Sequence, residues 1–135
     1  MASILRVNTL TDASSNNSVP METVANGSTK VWINFDGSSL SGTGTTGVND
    51  SFNVTSMTDN GTGDYTTNIT NNMGNTNYCH LVHAIVASYY TQYLANSFAK
   101  ATGSYREEQD SFDGSSTTAN RDHTHCNLGI LGDLA

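Results

Sequence analysis

Val31-Trp32-Ile33-Asn34-Phe35 alternates residue by residue, and Asp36-Gly37 ends the run. Successive side chains on an extended strand point to opposite faces, so Val31, Ile33 and Phe35 share one face and Trp32 and Asn34 the other. Both faces can be covered. A second stretch follows the same rule. Phe52 and Val54 alternate up to Thr58, Asp59 to Gly63 supplies Asn and Gly for a turn that needs positive φ, and Tyr65, Thr67 and Ile69 return. That pattern predicts a β-hairpin. The chain therefore reads as an all-β protein, a small β-sandwich or jelly-roll-like domain.

The remaining segments are placed around these strands. Ile4 to Leu10 alternates well enough for an N-terminal extended strand, Asp12 to Ser18 is a polar turn before Pro20, and Met21 to Ala25 leads to a turn at Asn26-Gly27. Residues 1–27 are read as a strand and arm for subunit exchange or attachment, and residues 28–135 as the β-rich domain. Gly37 to Gly47 is a glycine-rich surface loop, and no strand–glycine–helix context makes it a phosphate cradle.

Tyr78 to Lys100 stays open between two states. Leu81, Ile85, Tyr89 and Tyr93 fall at i, i+4 spacing, and the alanines favour a short helix, whereas Val82, Val86, Tyr90 and Thr91 suit strands. Ser104 to Thr118 reads as a polar loop with Glu107, Glu108, Asp110 and Asp113. Asp122 to Leu131 closes the chain with alternating Thr124, Cys126, Leu128 and Ile130.

Composition limits what such a chain can do alone. Only 36% of its 135 residues are hydrophobic and 13% are charged, about half the ordinary share. So polar a domain has little core of its own, and packing against further copies would supply more, which predicts a homo-oligomer. The net charge of −7, with five basic residues, argues against nucleic acid and anionic membranes as partners. No apolar run is long enough to insert in a bilayer, and Met1-Ala2-Ser3-Ile4-Leu5 reads as the start of a cytoplasmically made product without a leader. Cys79 and Cys126 are then expected as free, partly buried thiols.

Three stretches together carry a resemblance. They are Ser3 to Leu10, Lys30 to Gly37, and Asp50 to Thr66, joined by the closing Leu128 to Ala135. This set resembles the tail-fibre-type structural proteins of marine tailed bacteriophages, the cyanophages and pelagiphages. The resemblance implies a β-rich, commonly trimeric, non-enzymatic part of the virion surface, assembled in the host cytoplasm, attached to other phage virion proteins and able to contact bacterial surface glycan. It also tips residues 78–100 toward strands, although Cys79-His80-Leu81-Val82-His83 and the alanines after it depart from the pattern. A capsid decoration or head-fibre protein of the same lineage is the nearest alternative, and a soluble carbohydrate-binding module a more distant one.

The chemistry-bearing residues are few. Cys79-His80-x-x-His83 and His123-x-His125-Cys126 contain ligands enough for zinc or iron, but on strands Cys126 would turn inward with Leu128 and Ile130. His123 and His125 would share an outward face, and three copies on a threefold axis would offer six imidazoles to iron or another first-row metal. The plainer expectation is solvated or hydrogen-bonded imidazoles and no cofactor. Glu107, Glu108, Asp110 and Asp113 could be drawn as a glycosidase pair, but adjacent acids in a polar loop are usually solvated. No Gly-x-Ser-x-Gly nucleophile elbow is present. Tyr89, Tyr90 and Tyr93 are the candidate binding residues, flat rings beside Asn and Ser, with packing in the core as the competing role.

Overall fold

The computed structural model describes residues 6–14, 17–85, 92–93, 97–112 and 118–135. Its elements run β1 (Thr9–Thr11), β2 (Ser18–Pro20), α1 (Met21–Gly27), β3 (Thr29–Phe35), β4 (Thr43–Gly44), β5 (Val48–Phe52), β6 (Val54–Gly61), β7 (Asp64–Ile69), β8 (Cys79–Ile85), β9 (Gln92–Tyr93), β10 (Ser97–Lys100), β11 (Ser104–Glu108), β12 (Asp110–Phe112), β13 (Thr118–Asn120) and β14 (His125–Leu131). The all-β fold class holds.

Two antiparallel sheets pack face to face. One has the order β5-β3-β14-β8 and the other β10-β11-β7-β6-β4. Alternation decides what lies between them. Val31, Ile33 and Phe35 from β3 and Cys126, Leu128 and Ile130 from β14 meet Met57 from β6, Tyr65 and Ile69 from β7, and Tyr105 from β11 in one buried cluster. Ring contacts bridge the layers: Phe35 and Tyr65 meet edge to face at 5.3 Å, and His80 lies 4.9 Å from Tyr105. Burying each large apolar side chain contributes about 1.5–3 kcal/mol, so these inward rows supply most of the cohesion.

The hairpin forms where the turn residues place it. β6 and β7 pair from Val54↔Ile69 to Gly61↔Asp64, and Gly63 sits in the connecting turn with φ +68°. The open segment resolves on the strand side wherever it is described. β8 pairs along its whole length with β14, placing Val82 and Ala84 inward and leaving Leu81 exposed, a period of two rather than of a helix.

One expectation needs correction. Ser104 to Phe112 is β structure rather than a polar loop, because Tyr105, Glu107, Gln109 and Ser111 turn inward at every second position. A helix occurs at Met21–Gly27, where Pro20 precedes it, Glu22 sits in its first turn and none of its residues is buried, while the described residues of 78–100 hold strands. In the N-terminal arm, β1 folds back on β2 as a local hairpin, and Ile4 and Leu5 lie outside the described residues. The loop after Gly37 is also pinned, by Leu40 in the core and by β4 against β6.

Among the described residues no helix is long and apolar enough to cross a membrane.

Candidate functional site

The outer faces of the two sheets differ in chemistry. The five-stranded sheet turns out short polar groups that bond to each other, such as Thr43 with Thr58 at 3.1 Å and Asn68 Nδ2 donating to Ser56 Oγ at 3.1 Å. The four-stranded sheet turns out rings and apolar groups. Its register lines up Phe52, Trp32, Gly129 and Leu81 side by side across all four strands. Phe52 is 53% exposed, Trp32 38% and Leu81 61%, unusual exposure in a chain with so few large apolar side chains.

The next outward row is Asp50, Asn34, Asn127 and His83. Here the amides form a directed ladder. Asn49 Nδ2 donates to Asn34 Oδ1 at 2.8 Å, and Asn34 Nδ2 donates to Asn127 Oδ1 at 2.7 Å. Each donation polarises the next amide, and the ladder ends on Asn127, whose own Nδ2 has no partner among the described residues. That donor lies beside exposed His83, its cross-strand neighbour.

In the first row, between Trp32 and Leu81, the sheet is hollowed by a missing side chain. A β-carbon at Gly129 would stand 3.8 Å from Thr29 Cγ2 and 4.0 Å from Leu81 Cβ, so there is room for one and none is present. The result is an open groove of about 430 Å³ walled by Trp32, Asn34, Leu81, His83 and Asn127 over a Gly129 floor. Its volume falls within the ~300–1,000 Å³ of small-ligand sites. No Asp, Glu, Lys or Arg lines it, although the chain carries a net charge of −7. An indole, a directed amide donor and an imidazole around an uncharged floor suit a neutral ligand with both C–H faces and hydroxyls.

No family model, characterised protein or solved structure matches the chain.

The candidate residues from sequence fall elsewhere. Tyr89 and Tyr90 lie outside the described residues, and Tyr93 is on β9, paired with Asp110 in the small β13-β12-β9 sheet. His123 and His125 do not share a face. β14 begins only at His125, which is exposed with Nδ1 3.0 Å from Thr124 Oγ1, whereas His123 precedes the strand and is fully buried. Neither ring nitrogen of His123 has a partner among the described residues, and burial lowers its pKa, which keeps the ring neutral. A six-imidazole axis would require His123 to leave the core. His80 also turns inward, its pKa lowered by burial and then by Lys100, while Cys79 and His83 turn outward. No group of three His, Cys, Asp or Glu that could hold a metal occurs among the described residues.

The acids do not converge either. Glu107 is buried between the sheets and Glu108, its neighbour on β11, points the other way. Asp110 is half-buried and Asp113 lies outside the described residues. Glu107 belongs to an interior polar chain: Gln109 Nε2 donates to Glu107 Oε1 at 2.9 Å, and the Cys126 thiol approaches Gln109 Oε1 and the His123 carbonyl, each at 3.2 Å.

The two cysteines are free, Cys79 exposed and Cys126 buried, so the expectation of partly buried thiols fits neither one closely. Burial pushes the Cys126 thiol up to about 12, further from its reactive thiolate. A thiol reagent at pH 8 is therefore expected to label one cysteine per chain within minutes and the second only on unfolding. Mass mapping should place the fast label on Cys79, and equal rates at both positions would contradict the burial.

The groove residues escaped the sequence reading as a site. The available signal was Trp32, the chain's single tryptophan, standing on the strand phase opposite to the core.

Proposed function

We propose that this chain is a non-enzymatic surface protein of a tailed-phage particle, a trimeric fibre or tip component that contacts neutral glycan on the bacterial surface. The observation that carries the glycan part is the uncharged groove between Trp32 and His83, with the Asn ladder ending on Asn127 in its wall. A sugar ring offers a C–H face to an indole and hydroxyls to an amide, so both requirements meet in one place. The particle part rests on the resemblance of Ser3 to Leu10, Lys30 to Gly37, Asp50 to Thr66 and Leu128 to Ala135 to tail-fibre-type proteins, and on a composition of Ser, Thr, Asn and Gly with few charges.

Single grooves of this openness bind weakly. Display of several copies on one particle raises the effective concentration of the remaining sites once one is engaged, and attachment follows from avidity rather than from depth.

An array of bacterial and plant-type neutral glycans, probed with the purified chain, tests the reading. Binding of at least one neutral glycan is expected, with Trp32→Ala weakening it tenfold or more, about 1.4 kcal/mol. The variant should keep the wild-type circular dichroism, because residue 32 points out of the core. A chain that binds no glycan, or a Trp32→Ala variant that binds as well as wild type, refutes the reading. Labelled antibody on intact particles separates a fibre or tip position from a capsid one.

A further inference from the structure

We propose that the groove takes an internal stretch of a glycan chain, several sugars long and laid over the Trp32–Phe52 ridge, rather than a single terminal sugar. This deepens the reading above and rests on it.

A second groove, of about 550 Å³, opens on the same face beyond the ridge, with Thr29, Lys30, Phe52, Asp133 and Leu134 among its walls. The two depressions are continuous in register. Phe52, a wall of the second, is the cross-strand partner of Trp32, a wall of the first. Thr29, another wall of the second, has its methyl 3.8 Å from where a β-carbon of Gly129 would stand on the floor of the first. From the Asn34 row to the Thr29 row the strand advances five residues, about 16 Å at ~3.3 Å per residue. That is the reach of several sugars joined end to end, not of one.

The two halves differ in charge, which gives the track a direction. The first groove has no charged wall. The second holds Lys30 and Asp133, and the Lys30 ammonium is steadied by the carbonyl of Ala25 near the end of α1 and by Ser28 Oγ at 2.5 Å. A sugar there meets one fixed cation and one carboxylate, able to donate to and accept from hydroxyls. Between the halves the adjacent Trp32 and Phe52 side chains form an apolar ridge over which successive rings can lie.

Length-graded chito-, cello-, malto- and manno-oligosaccharides of one to six units test the proposal, titrated by the fluorescence of Trp32, the only tryptophan. For the series that binds, affinity is expected to rise at least tenfold from one unit to four and then level off. Phe52→Ala should flatten that rise, bringing the long oligosaccharides toward the affinity of the short ones. Gly129→Leu, whose added side chain meets only ordinary contacts at its root, should weaken every length. Affinity independent of length, with Trp32→Ala still abolishing binding, overturns the extended track and leaves the glycan reading standing. No binding at any length overturns both. So does a sedimentation change in Trp32→Ala without glycan binding, which would make a second copy of the chain the occupant of this face.

Discussion

Replacing Gly63 with alanine is expected to destabilise the fold by more than about 4 kcal/mol, the largest loss expected from a methyl added at any described glycine. Two effects combine there. Gly63 has φ +68°, in the left-handed region that costs an L-residue roughly 1 kcal/mol or more. Its added β-carbon would also stand 2.6 Å from the Gln109 carbonyl oxygen, 2.7 Å from Arg121 N and 2.9 Å from Arg121 O. These are backbone atoms on two other segments, so no side chain can swing away. Making room would break a tight knot: Gln109 N–H donates to Gly63 O at 2.6 Å, Arg121 N–H to Gln109 O at 2.9 Å, and Gly63 N–H to Asp122 Oδ1 at 2.7 Å. Asp122 Oδ1 also accepts from the buried Tyr65 hydroxyl at 2.7 Å, so displacement would propagate to the Phe35–Tyr65 contact between the sheets. Gly42 is the control. Its φ is +62° but nothing lies within 4 Å of its would-be β-carbon, so Gly42→Ala should cost only about 1 kcal/mol. Thermal or urea unfolding of both variants separates backbone conformation from packing. Equal losses at the two glycines would show that the Gln109–Arg121 knot contributes nothing.

What the sequence disclosed and what it withheld follow from range. Alternation is local, and it put Val31, Ile33 and Phe35 on one face of a strand and Trp32 on the other, turned Cys126, Leu128 and Ile130 inward, and marked the hairpin that ends in Ile69; which face of β3 is the core needed the second sheet. β11 and β12 were hidden because the inward phase through them runs Tyr105, Glu107, Gln109, Ser111, and a polar inner face removes the apolar contrast that betrays a strand. The helical spacing of Leu81 and Ile85 was a coincidence of pattern. Once β14 lies beside β8, strand pairing satisfies seven residues of backbone, and Leu81 is left outside. The groove was not readable at all, since Asn34 and Asn127 are 93 positions apart and become neighbours only through the β3–β14 register. Gly129 is an ordinary glycine until that register sets it between Trp32 and Leu81.

Glu107→Gln is expected to stabilise the protein above pH 7 by about 3 kcal/mol and to leave it unchanged near pH 4.5. The carboxyl is fully buried between the sheets, with Gln109 Nε2 on one oxygen and no partner for the other among the described residues. Burial raises its pKa from 4.5 to about 7, and the Gln109 bond offsets only part of that. The sign follows from proton counting. Between these values the folded chain holds a proton that the unfolded chain has released, so stability falls as pH rises, by about 1.4 kcal/mol per pH unit, and is constant above the upper value. His123 acts in the opposite sense. Burial lowers its pKa below 6.5, so the unfolded chain binds the extra proton and stability falls as pH drops through that range. The wild-type profile therefore mixes two slopes. Subtracting it from the Glu107→Gln profile cancels His123 and leaves a single step between about pH 4.5 and 7. For 135 residues, ~3 kcal/mol corresponds to a gain of roughly 10 °C in Tm at pH 8. The amide keeps an oxygen for Gln109 to bond, so the substitution removes the buried charge without removing the contact. Parallel pH profiles for the two proteins would mean that Glu107 is solvated in the folded state, contrary to its place in the core. A single step between about pH 4.5 and 7 identifies Glu107 as the group whose ionisation lowers stability across that range.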